Sequence, residues 1–301
     1  MPSSNDGYWC TRRCRSLAVT LLVLGFAASS VFGTVFVATP LPQRPSWGRS
    51  VLARNSGMPP RPDQSRRVVM RAGERELDTD AVGKYVAAIA VQLLGITTFF
   101  MAIDSAVKAS GAALPDWAVF ALFFGMSLRS RIFSPLDNSR PDISKAAKGE
   151  STGGFNDRTM PSWTPPGFFF PIMWILIVAP LRAASSVLIW QQVGHLCDAT
   201  ILTLMLHLCV GDTWNTVNNV ERRLGAAVPG VLCVWASALA ASFAYFQVEA
   251  FAGELLVPTC LWLTVAAALV TDTWRVNNTA GSEPLFPYRG ETQTRFWFST
   301  E

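Results

Sequence analysis

Residues 161–174 read PSWTPPGFFFPIMW. Trp163, Pro165 and Pro166 stand just before an apolar run, and further tryptophans follow at 174, 190, 214, 235, 262 and 274. Proline fits the first turn of a helix, where its missing N–H has no intrahelical partner to lose. Indole rings fit the headgroup level at the end of a membrane span, or the wall of a pocket between spans. The stretch therefore reads as the entry to a membrane helix, opening a tryptophan-marked series of apolar segments that runs to residue 277.

Composition agrees. Of 301 residues, 50% are hydrophobic, 15% are charged and 11 are tryptophan; mean hydropathy is +0.29. A soluble domain of this length buries a large core, but it does not need several apolar runs of about 20 residues, each long enough to cross about 30 Å of hydrocarbon.

The first 71 residues read as an address. Arg12, Arg13 and Arg15 precede LAVTLLVLGFAASSVFG, whose small residues near the end suit signal-peptidase cleavage. Seven arginines and one acid, Asp63, follow between Leu41 and Arg71, among prolines and serines. A signal followed by such a segment resembles the bipartite presequences of algae with secondary plastids. The alternative is a first transmembrane helix at 17–38 with a basic linker. Residues 1–71 hold ten Lys/Arg against two Asp/Glu, whereas the remainder holds 15 against 19. The basic balance thus belongs to the leader, and the rest offers no basic, aromatic-interleaved patch for nucleic acid.

The mature segment reads as an all-α membrane protein with six spans, at about 83–107, 115–132, 166–191, 196–218, 225–248 and 253–277. The turns at 192–195 and 219–224 are short, which makes antiparallel neighbours. Residues 133–165 form the long connection, rich in Pro, Gly, Ser and Asp, and read either as a link or as a lid over the bundle. Pro180 is expected to interrupt the third span. Six crossings put both mature termini on one side, with the 133–165 loop, Arg222, Arg223 and Arg275; the basic excess assigns that side to the cytoplasm-equivalent face, the stroma of a plastid envelope or thylakoid.

From these residues the chain resembles the TspO/MBR family, the tryptophan-rich sensory proteins that include the translocator, or peripheral benzodiazepine receptor. The family's Pro-x-Trp-x-Pro-Pro motif is similar to Pro161, Trp163, Pro165 and Pro166, and its following Phe and Trp to Phe170 and Trp174. Leu208, Trp214, Arg222 and Arg223 resemble its third helix and turn; Leu255, Leu256, Val257, Pro258, Trp262, Ala266, Trp274 and Asn277 resemble its fifth. The resemblance covers about 115–277 and implies a TspO-like five-helix transmembrane bundle, with 83–107 as one additional N-terminal helix. The implied organisation is a leader at 1–71, the extra helix and its flanks at 72–114, the bundle at 115–277 and a tail at 278–301. Departures fall at Ile177, Gly211, Asn218, Asn219, Thr259 and Val270, which replace residues common in the family.

The resemblance further implies a cavity for a tetrapyrrole or a similar apolar ligand, with porphyrin, haem or chlorophyll as candidate cofactors. Trp163, Phe169, Phe170, Trp174, Trp214 and Trp262 would line it. For each tryptophan the competing reading is an interface anchor or a packing residue.

Polar residues inside apolar runs add a second set. GDTWNTVNN at 211–219 echoes TDTWRVNN at 271–278. Charged groups within spans face one another, water or a ligand, so Asp212 and Asp272 are expected to share a site with Asn218, Asn219 and Asn277, with Arg182 and Arg275 as counter-charges. Structural pairing and simple solvation at a helix end are the alternatives. His207, alone in LTLMLHLCV, is either a packed residue with one hydrogen bond or a chlorophyll ligand through an imidazole nitrogen. Cys197, Cys209, Cys233 and Cys260 have no metal-ligand spacing.

Phosphate-loop, dinucleotide, zinc-protease and serine-hydrolase motifs are absent, which argues against an enzyme. The leading expectation is a membrane-embedded ligand-binding protein for transport or regulation. The competing one is a structural or assembly subunit of a photosynthetic membrane complex, which the extra span and the Phe296-Trp297-Phe298 tail favour. Expected partners are membrane lipids, with a homodimer or the photosynthetic complex as candidate assemblies.

Overall fold

A computed structural model describes residues 75–111, 113–137, 158–278 and 283–299. The leader reading at 1–71 and the middle of the long connection, 138–157, lie outside the described residues. Six helices follow in order: α1, Thr79–Ser110; α2, Asp116–Arg129; α3, Phe169–Val193; α4, Ala199–Asn215; α5, Leu224–Val248; and α6, Ala250–Asn277. Four of them, α1, α3, α5 and α6, are long and apolar enough to cross a membrane. The fold is therefore an all-α, multi-span membrane protein, as its composition implies.

Two of the six expected spans, α2 and α4, are not among these four. The 14 residues of α2 rise only about 21 Å, less than the hydrocarbon thickness, before the chain tightens into a 3₁₀ turn at Ser130–Phe133. The 17 residues of α4 continue as a π-helical turn, Thr216–Val220.

Local chemistry sets the helix ends. Asp78 caps α1 by accepting from the Ala81 amide at 3.0 Å, and Asp198 caps α4 by accepting from Thr200 at 2.7 Å. Gly111 and Gly194 end α1 and α3 at φ 66° and 78°, where a side chain would be strained. Within α3 the backbone is π-helical over Ile172–Val178, ending just before Pro180. Proline cannot donate to the preceding turn, so the ladder is broken where the sequence predicts it.

Helix α5 packs against α4 and α6, α2 against α3, and α1 against α4. Ile96 and Phe100 of α1 share one buried cluster with Phe123, Ile189, Met205 and Tyr245. One face of α1 is thus part of the core, while Val86, Val91, Leu94 and Met101 stand exposed on its other. Asp104 of α1 accepts from the Leu196 and Cys197 amides at 2.9 and 2.8 Å, satisfying the α3–α4 turn. Small hydroxyls tie the other helices: Ser185 donates to the Ala252 carbonyl at 2.6 Å, and Ser242 to Gly253 at 2.9 Å.

At one end of the bundle the start of α1, the segment after α2 and the tail meet. Asp78 donates its amide to Pro287 at 2.8 Å, and Trp297 donates to Pro135 at 3.0 Å. Arg223, read from sequence as a surface charge, is fully buried there. Its guanidinium meets Glu221 at 3.0 Å, Asp78 at 3.2 Å and Glu291 at 3.5 Å, and donates to the Thr292 carbonyl at 2.7 Å. Tyr85 of α1 bonds the same Glu221. Gly225 admits this tail: a Cβ there would lie 1.9 Å from the Pro284 carbonyl oxygen.

Candidate functional site

A cavity of about 680 Å³ opens among α3, α4, α6 and the segment after α2. Its aromatic wall is Phe170, Trp174, Trp214 and Trp262. Gly230 lets Trp214 lie close against α5, since a Cβ there would sit 2.9 Å from the indole; the indole N–H donates to the Ala227 carbonyl at 3.1 Å. Trp262 is buried and takes edge contacts from Phe169 and Phe170, with ring centroids 5.6 and 5.9 Å away. Trp163 and Phe169 are not among the lining residues. Trp163 is 40% exposed and donates its indole N–H to Asp272 at 3.0 Å, so it fastens the end of the long connection to α6.

The buried part of the cavity holds a cation. Arg182 Nη2 lies 2.6 Å from His207 Nε2, and His207 Nδ1 lies 2.9 Å from Ser237 Oγ, which donates to the Val234 carbonyl at 2.8 Å. Arginine can only donate, so Nε2 accepts and the imidazole is neutral, its proton on Nδ1. Both ring nitrogens are engaged. The chlorophyll-ligand reading of His207 is corrected on this ground, because a metal would have to displace Arg182. The Arg182 guanidinium also sits 5.5 Å from the Trp174 ring centroid.

Asp212 accepts from Gln92 Nε2 at 2.7 Å and from Ser130 Oγ at 2.5 Å. It therefore joins α1 and the turn after α2 to α4. Asp272 instead pairs with Trp163 and, at 3.4 Å, with Arg275. The shared Asp212–Asp272 site is thus corrected: the two echoed motifs end in different surroundings, because α1 covers α4 while the end of α6 faces the connection. Asn277 exchanges hydrogen bonds with Thr159 at 2.9 and 3.0 Å, away from the cavity lining. Arg275 lies 3.4 Å from Asp272, and Arg182 bonds His207 rather than Asp212.

The more exposed part of the cavity carries Arg129, Arg131, Arg158, Asn215, Asn218 and Asn219. Arg131 donates to Asn215 Oδ1 at 2.8 Å and to Thr216 Oγ1 at 2.9 Å, and Arg158 bonds Asn218. Burial, then the charge of Arg222, lowers the Arg158 guanidinium to about 10. Sequence reasoning missed Gln92, Ser130, Arg129, Arg131 and Arg158. Gln92 had a signal, a lone amide in the apolar run KYVAAIAVQLLGITTFF; the arginines had only a basic cluster, SLRSR, at the end of an apolar segment. Among the described residues no cluster of His, Cys, Asp and Glu is arranged to hold a metal.

Residues 143–275 match the model of the TspO/MBR family. Over this segment the chain is similar to the TspO/MBR family. The segment carries the aromatic wall, Arg182, His207 and Asp212, while Gln92, Ser130 and the tail lie outside it. The chain is similar to Protein CrtK of Rhodobacter capsulatus, 27% identical over 126 residues that cover 42% of this chain and 78% of the relative. It is similar to the Translocator protein of Homo sapiens, 27% identical over 138 residues, covering 45% and 81% respectively. The Tryptophan-rich sensory protein of Cereibacter sphaeroides is 26% identical over 123 residues, covering 41% and 76%. Similarity to a translocator and a sensory protein, rather than to an enzyme, agrees with the lack of enzyme motifs.

Proposed function

We propose that the protein binds a tetrapyrrole, or a comparably flat apolar molecule, between its membrane helices, for transport or regulation. One observation carries this reading: the cavity of about 680 Å³ whose wall is Phe170, Trp174, Trp214 and Trp262. That volume falls in the range of small-molecule pockets, and indole faces stack on a planar macrocycle while remaining compatible with lipid. Two relatives named for translocation and sensing support the same direction. The test is quenching of tryptophan fluorescence by a porphyrin, with the full chain in nanodiscs. Saturable binding at one site per chain is expected; quenching that never saturates sinks the reading.

The leader composition supports a plastid membrane as the address, with 1–71 removed and both mature termini facing the stroma. Peptide mapping of the protein from native membranes tests it: recovery of residues 17–38 in the mature chain would reject removal.

The competing role, a subunit of a photosynthetic membrane complex, is favoured by the exposed outer face of α1 and by Trp297 and Phe298, exposed at the tail. Co-migration with a photosystem after mild solubilisation would support it, and a wholly free pool would reject it.

A further inference from the structure

Arg182 is the one cavity-lining arginine that lies fully within a long apolar helix, and it is buried. A guanidinium in such a place is costly unless an anion or a full set of acceptors meets it. The structure supplies one acceptor, the neutral His207. The Nε–H of Arg182 is buried without a hydrogen-bond partner, and so is the indole N–H of Trp262, which lines the same cavity. The ion pairs found among the described residues all lie elsewhere. Asp212, the only acid among the described lining residues, is already held by Gln92 and Ser130. Among the described residues the lining carries four arginines, Arg129, Arg131, Arg158 and Arg182, against that one carboxylate.

Two buried N–H donors without acceptors, one of them on a cation, are what a carboxylate satisfies best: charge-assisted hydrogen bonds to arginine are about twice as strong as neutral ones. The aromatic wall requires the rest of the molecule to be apolar. From this geometry we infer that Arg182 and Trp262 form a carboxylate subsite, and that the ligand is an apolar carboxylic acid whose acid group lies at the buried end of the cavity. The inference rests on the cavity being a ligand site; it does not require the ligand to be a tetrapyrrole.

The experiment compares acids with their esters on the full chain in nanodiscs. The probes are a porphyrin dicarboxylic acid with its dimethyl ester, and hexadecanoic acid with its methyl ester. Each ester keeps the apolar body and loses the charge. At least one acid is expected to bind about 10-fold more tightly than its ester. Arg182→Gln should bring that acid down to the affinity of the ester and leave the ester unchanged; glutamine still donates to His207, and unchanged ester binding shows an intact fold. Trp262→Phe, which keeps an aromatic ring in the wall, should weaken the acid about 3-fold more than it weakens the ester.

Equal affinity of acid and ester in both pairs overturns the subsite, and so does an Arg182→Gln variant that weakens acid and ester alike. The comparison on the parent protein decides even if that variant does not fold. If only hexadecanoic acid binds, and depends on Arg182, the tetrapyrrole reading falls and the subsite stands. If both porphyrin forms bind equally and the fatty acid does not bind, the tetrapyrrole reading stands and the subsite falls. No saturable binding by any of the four probes rejects both.

Discussion

Arg182 of α3 and His207 of α4 meet at 2.6 Å inside the apolar body of the bundle, and the contact gives a buried guanidinium its acceptor. Replacing His207 with Leu leaves that cation without the acceptor. A loss of about 2–3 kcal/mol is expected, read as a lower thermal midpoint in a fixed detergent. His207→Gln keeps a carbonyl oxygen in reach and should recover part of the loss. An unchanged midpoint for His207→Leu would show that the pair does not hold the helices.

Gln92 donates to Asp212 at 2.7 Å and to the Ser130 carbonyl at 3.0 Å. Gln92→Leu keeps the apolar volume of α1 but leaves a carboxylate and a carbonyl short of a donor. The expected cost is about 1–3 kcal/mol, with α1 loosened from α4. Cross-linking between cysteines placed on α1 and α4 should become less efficient in the variant. Equal cross-linking would argue that apolar packing alone seats α1.

Trp174 and Trp163 are separated by the structure, although the sequence motif joins them. Trp174 lines the cavity, and Trp163 bonds Asp272 at the surface. Trp174→Leu should therefore weaken porphyrin binding by about 2- to 12-fold, the value of one lost stacking platform. Trp163→Leu should leave affinity nearly unchanged and instead expose the end of the connection to protease. A larger affinity loss from Trp163→Leu than from Trp174→Leu would put the ligand elsewhere.

Glu291 carries a pH dependence at the tail. Burial above all, reinforced by Glu283, pushes its carboxyl from 4.5 up to about 7, against the pull of Arg223 and Arg75. A folded pKa above the unfolded one means that the contribution is complete below about pH 4.5 and is lost as pH rises through 7. Asp78, on the same Arg223, is shifted down, so its contribution is present above its ordinary value and lost only in stronger acid. Between pH 5 and 8 the thermal midpoint should accordingly fall as pH rises, in about that window. Glu291→Gln should flatten the profile, and an equally steep profile in that variant would assign the effect to another group.

Gly230 and Trp214 form a close pair across α5 and α4. A methyl group at 230 would approach the indole to 2.9 Å. Gly230→Ala should cost about 1–3 kcal/mol by overpacking and shift Trp214 from the Ala227 carbonyl, visible as a change in tryptophan emission. An emission spectrum and midpoint identical to the parent would show that the helices part without penalty.

The apolar runs, their lengths and the Pro and Trp at their entrances were legible in the sequence. Hydrocarbon offers no hydrogen bonds, so a long apolar run has to satisfy its backbone within itself as a helix. Four such helices stand within a few residues of where the runs place them, and the break before Pro180 follows from a missing N–H. The family resemblance, rather than spacing, singled out Phe170, Trp174, Trp214 and Trp262, which line the cavity, together with Trp163 and Phe169, which do not. Partnerships between polar side chains were not legible. Asp212 and Asp272 sit in nearly the same local sequence, yet one is held by Gln92 and Ser130 and the other by Trp163 and Arg275. Arg222 and Arg223 are neighbours in one turn, yet Arg223 alone is the buried centre of the tail's ion pairs. Periodicity is a property of one segment and can be read along it. A hydrogen bond between residues 25 or 120 positions apart depends on which helix packs against which, and only the tertiary structure decides that.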